Sequence, residues 1–119
     1  MWPLDNNASD KDGLLGVAYS RLLIEAERCL QPYVEANGID DFRYLFRSFQ
    51  KLNDDALNNC NTPKDIFHEL EKIGELGIHN TKILRVIARE LNLRELEKEV
   101  IKYEEYIHQQ EGKLVSGFV

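Results

Sequence analysis

Between positions 14 and 107, apolar residues recur three and four apart, the period of helices that bury one face. No run alternates apolar and polar residues long enough to pair as a strand, and no internal repeat is present. The first helix is expected to begin near Leu14, with Leu15, Tyr19, Leu22, Leu23, Ala26 and Leu30 on one face. Pro32 removes a backbone donor and clashes with the carbonyl four residues back, so a kink or restart is expected there before a stop at Asn37-Gly38. Asp40 and Asp41 open a second helix, where negative charge suits the positive helix end. Its inward stripe is Phe42, Leu45, Phe46, Phe49 and Leu52. Asn53 to Leu57 suggests a short, polar third helix ending among Asn58, Asn59 and Asn61.

The pattern is clearest from Thr62 to Tyr106, which reads as three further helices joined by short turns. Thr62 can accept a hydrogen bond from an early backbone N–H, Pro63 loses nothing at the first helical position, and Asp65 is a short form of the capping-box partner. Ile66, Leu70 and Ile73 form the apolar stripe of this helix, with Phe67 at its edge and a stop at Gly74 and Gly77. Asn80 or Thr81 caps the fifth helix, whose inner face is Leu84, Ile87, Ala88 and Leu91. The sixth carries Leu93, Leu96, Val100, Tyr103 and Ile107 on one stripe. Helices of this length are marginal alone in water, so each stripe requires a packing partner.

The segments IFHELE, ILRVIARELN and LRELEKEVIKYEEY, in that order around a Gly/Leu turn, resemble the last three helices of a death effector domain, a branch of the death-fold superfamily. That family closes on an Arg-x-Asp-Leu motif followed by a valine and an aromatic. The corresponding run here is Leu93-Arg94-Glu95-Leu96, then Val100 and Tyr103. Leu93 takes the arginine position with Arg94 adjacent, and Glu95 replaces the aspartate. The resemblance spans roughly residues 14–107, and a broken first helix and a short third helix are also found in such domains.

The resemblance implies an all-α, six-helix antiparallel death-fold bundle. It implies a non-catalytic adaptor module that joins like domains in apoptotic or innate-immune signalling, typically to recruit an initiator caspase. In that family the helix 2/5 surface packs on the helix 1/4 surface of the next domain, and an acidic residue of helix two joins the Arg-x-Asp-Leu run in a charge triad. Asp40 or Asp41 with Arg94 and Glu95 are the corresponding residues here. A caspase-recruitment type death-fold domain, or a small helical regulator outside the superfamily, is the alternative.

At 119 residues the chain is long enough for one domain with its own core, expected over 13–111 between a mobile leader, 1–12, and a tail, 112–119. Its net charge of −6 argues against a general binder of nucleic-acid backbone. Cys29 and Cys60 follow no pattern and are read as reduced thiols, Cys29 near a buried face. The start of the chain lacks a basic segment followed by an apolar run, and no stretch approaches the ~18 apolar residues of a membrane span, so the expected location is cytoplasmic. His68, His79 and His108 lack ligand spacing, and Gly74 and Gly77 are not followed by Gly-Lys-Ser/Thr, so neither metal nor cofactor is expected. The glutamates of the last helix alternate with Lys98 and Lys102 as a solvated face.

Candidate function therefore rests on the surface. At about 100° per residue, Tyr44 falls opposite the stripe of its helix, beside Arg47 and Lys51. Val86 falls opposite Leu84, flanked by Lys82, Arg85 and Arg89, and Ile24 is similarly misplaced on the first helix. The second and fifth helices are mildly basic. The first and fourth, the latter with Glu69 and Glu71, are mildly acidic. This pattern predicts a head-to-tail contact between a Tyr44/Val86 face and an acidic face of a like domain, a heterologous contact that can grow into an open array.

Overall fold

A computed structural model describes the backbone of residues 8–116 and the side chains of residues 13–110. The described residues form six helices and no strand: α1 (Ala8–Asn37), α2 (Ile39–Phe49), α3 (Asp54–Asn58), α4 (Pro63–Lys72), α5 (Lys82–Glu90) and α6 (Arg94–Ser116). The all-α class and the number of helices are as predicted. Two boundaries differ. Helix α1 starts at Ala8, inside the expected leader, whose first seven residues lie outside the described range. Helix α6 runs to Ser116, into the expected tail, of which residues 117–119 lie outside it.

Pro32 lies inside α1 and no second helix starts there. The carbonyl that loses its partner belongs to Arg28, and Arg28, Gln31 and Pro32 all face solvent. Water can serve that carbonyl, while Leu30, Tyr33 and Val34 keep the inner side packed.

The helix ends follow local chemistry. Asn53 caps α3 by accepting from the Ala56 N–H at 2.8 Å, and Thr62 Oγ1 caps α4 by accepting from the Asp65 N–H at 3.2 Å. The Asp65 carboxylate accepts the Asn61 N–H at 3.0 Å, and this bond holds its carboxyl below the usual aspartate range. Thr81 occupies the cap position of α5 but makes no cap bond. Helix α2 ends on Gln50 in the left-handed region, φ 55°, and Asn92 at φ 57° turns the chain from α5 into α6.

Helix α1 packs on α6, α2 and α4, while α6 packs on α1 and α5. Phe42, Phe46, Leu30, Leu57, Ile66, Leu70, Leu84, Ile87, Leu96 and Val100 are fully buried between them. An edge-to-face aromatic series, Tyr33–Phe42–Phe46–Phe49, has centroid spacings of 6.3, 5.2 and 5.4 Å and ties α1 to α2. Every buried side-chain polar atom among the described residues has a partner.

Three positions differ from the predicted stripes. Ile73 is 51 % exposed, because α4 ends at Lys72 and Gly74, at φ 77°, turns the chain away. Leu76 fills the core from the connector instead. Phe67 and Ile83 are buried rather than peripheral, so the inner arcs of α4 and α5 are wider than predicted.

Two buried tyrosines join elements across the bundle. Tyr19 of α1 donates to Glu71 of α4 at 2.5 Å, and Tyr103 of α6 donates to the Ile78 carbonyl at 2.8 Å. Their rings meet at 6.3 Å. Burial pushes both phenols up, Tyr103 to about 12; for Tyr19 the Glu71 carboxylate adds to the effect. The folded chain therefore keeps two protons that an unfolded chain releases near pH ~10.

Stability present below pH ~10 should fall as the pH rises towards 12, by about 1.4 kcal/mol per pH unit for each tyrosine, as urea denaturation across that range would measure. Tyr103→Phe should roughly halve this alkaline slope. Within the core, Phe46→Ala should cost about 3–5 kcal/mol and Leu84→Ala about 2–5 kcal/mol by the same measurement, since both leave cavities.

Candidate protein-interaction surfaces

On α2, the inward turn of Phe42 and Phe46 sends Tyr44 outward, where it is 68 % exposed. Its neighbour Arg47 is engaged within the chain: Nε lies 3.2 Å from Asp54 and Nη2 donates to Asn58 at 3.0 Å, which fastens α3 alongside α2. Arg43 turns beneath the helix, donating to the Cys60 carbonyl at 2.8 Å and to Asp40 at 2.8 Å, and so holds α2 to the loop before α4. Lys51 lies 3.5 Å from Glu75. Tyr44 therefore stands on a surface whose neighbouring cations have carboxylate partners.

The cations of α5 are engaged in the same way. Arg85 pairs with Glu104 of α6 at 2.9 Å, and Glu104 also accepts from Thr81 Oγ1 at 3.3 Å, which is where the hydroxyl expected to cap α5 is directed. Arg89 pairs with Glu97 at 2.7 Å. Lys82 makes no ion pair among the described residues. Val86, expected to be exposed, is half-buried.

The expected acidic partners are also occupied. Glu69 pairs with Lys72 at 2.8 Å, while Glu71 accepts from Tyr19 and lies 3.3 Å from His68. The basic 2/5 face and acidic 1/4 face predicted from charge counts are thus largely neutralised inside the chain. Nor do Asp40, Asp41, Arg94 and Glu95 form a triad among the described residues. Asp40 pairs with Arg43, and Glu95 faces Arg28 and Cys29 of α1, where its charge is felt by both. Asp41 and Arg94 make no ion pair there.

Ile24 is 65 % exposed, but it belongs to a third face. It lines a groove of about 770 Å³ between α1 and α6, with Leu14, Val17, Leu22, Tyr103 and Tyr106 as further apolar lining. The misplacement of Ile24 was visible along the chain. The facing residues on α6 were not, because the alignment of two helices distant in sequence is a tertiary property. Among the described residues no group of three His, Cys, Asp or Glu side chains is placed to hold a metal ion, and no helix is long and apolar enough to cross a membrane.

No family model matches the chain, and no curated protein or solved structure matches it.

Glu104→Ala leaves Thr81 and Arg85 without their partner and should cost about 1–3 kcal/mol in urea denaturation. Arg94→Ala, at an exposed and unpaired position, should change the same quantity by less than about 0.5 kcal/mol.

Proposed function

We propose that the chain is a non-catalytic interaction module of the death effector type, which assembles with like domains and brings an initiator caspase into apoptotic or innate-immune signalling. The observation that carries this reading is Tyr44: a large aromatic side chain, 68 % exposed, on the outer face of α2, with its surroundings held rigid by Arg43 and Arg47. Tyrosine at the centre of a patch is among the residue types that dominate protein–protein binding, and a fixed scaffold lowers the ordering cost of docking. The six-helix order with a short third element supports the same reading. So does the closing run, in which Leu96, Val100 and Tyr103 are all buried.

Because Arg47, Arg85 and Arg89 already have carboxylate partners, the contact rests on Tyr44 and the unpaired Lys82 more than on a broad basic field. Its dependence on salt is correspondingly shallow. The partner surface belongs to another domain of the same kind. The contact joins two different patches and is open to growth.

Titration against a tagged death effector adaptor or caspase prodomain tests this. Tyr44→Glu should weaken binding at least about tenfold while leaving the melting temperature unchanged, since the side chain is outside the core. Lys82→Glu should weaken it less. Val86→Glu is a poorer probe, because Val86 is half-buried. Normal binding by Tyr44→Glu would move the interface elsewhere, and failure of the unmodified chain to bind any such domain would end the reading.

A further inference from the structure

The α1/α6 groove differs in charge from the molecule that carries it. The chain has a net charge of −6, yet the described charged residues lining the groove balance, Arg21, Arg28 and Lys102 against Glu25, Glu95 and Glu99. The helices run antiparallel, with Glu95 facing Arg28 and Cys29, and Tyr103 beside Tyr19. By this register Glu95 stands at the Arg28 end of the groove and Arg21 at the other, while Glu25 and Glu99 lie between them near Ile24. On α1 the two ends are about 10 Å apart, seven residues of helix from Arg21 to Arg28. Arg28 is taken up by Glu25 at 2.7 Å and Lys102 lies 3.6 Å from Glu99, but Arg21 and Glu95 have no ion-pair partner among the described residues. Between the ends stands Ile24, 65 % exposed, and Leu14 is 55 % exposed on the same lining.

We infer that a second copy of this chain docks in the groove about a two-fold axis passing near Ile24. Each Ile24 rests on the apolar lining of the other copy, and Arg21 of each copy meets Glu95 of the other. A surface with an unpaired cation at one end and an unpaired carboxylate at the other becomes complementary to itself on a half-turn, the requirement of an isologous contact. An unrelated partner would have to carry the opposite charge order independently; a second copy has it by symmetry. Two molecules of net charge −6 repel over most of their surfaces, and a locally neutral face with exposed apolar residues is where that repulsion is weakest. This contact closes as a pair. It uses a different face from Tyr44 and does not depend on the head-to-tail reading.

Sedimentation equilibrium from micromolar to millimolar protein, in a Tyr44→Glu background that removes the other contact, tests the inference. The parent should follow a reversible monomer–dimer isotherm. Ile24→Asp should raise the dimer Kd at least about tenfold with an unchanged circular dichroism spectrum, because the side chain is largely outside the core. Arg21→Glu and Glu95→Arg should each raise the Kd, and the double variant, which restores the pair in reverse, should dimerise more tightly than either single variant. A parent that stays monomeric throughout, an Ile24→Asp variant that dimerises like the parent, or a double variant no better than the singles would each overturn it.

Discussion

One turn of α6 holds three parts of the molecule at once. The ring of Tyr103 packs against Tyr19 of α1, its hydroxyl donates to the Ile78 carbonyl, and the neighbouring Glu104 receives Thr81 and Arg85 of α5. Apolar burial of Leu96, Val100 and Ile107 brings α6 to this position. The polar contacts then fix the rotation and level of the helix, because a shift of one residue would move Tyr103 and Glu104 off their partners. The connector between α4 and α5 contains no regular element apart from a single bridge between Gly77 and Asn80. Its course depends on this turn of α6 through the carbonyl of Ile78.

The same economy shapes the surface. A short helix such as α5 has few residues with which to bury an apolar arc, and its arginines extend from the flanks of that arc towards the nearest acidic side chains, which α6 supplies. The partly buried Arg85–Glu104 pair is screened less by salt than the exposed Arg89–Glu97 pair, and both consume charge that a count along the sequence assigns to an outer face. What remains for a partner is smaller and more apolar: Tyr44 on α2, Lys82 on α5, and the α1/α6 groove with Ile24 and Leu14.

These two faces have different geometry. Tyr44 protrudes from a helix–helix unit held together by Arg47 and Asp54. The groove combines apolar lining with Arg21 and Glu95, both unpaired among the described residues and about 10 Å apart along its length.

The sequence by itself determined the helices, most of their inward faces and the Thr62 cap, because these depend on local spacing and on side chains within a few residues of the backbone they serve. Phe42 and Phe46, Leu96 and Val100, and the Thr62 cap are of this kind. It also identified Tyr44 and Ile24 as apolar residues on the wrong side of their helices. Only the tertiary structure decided which carboxylates Arg85 and Arg89 meet. Arg85 finds Glu104 nineteen residues away and Arg43 finds the Cys60 carbonyl seventeen residues away, distances over which helical periodicity carries no information. The half-burial of Val86, the exposure of Ile73 and the passage of α1 through Pro32 have the same origin. Each was settled by what the neighbouring helix or solvent placed beside the residue, and the chain acquires those neighbours only on folding.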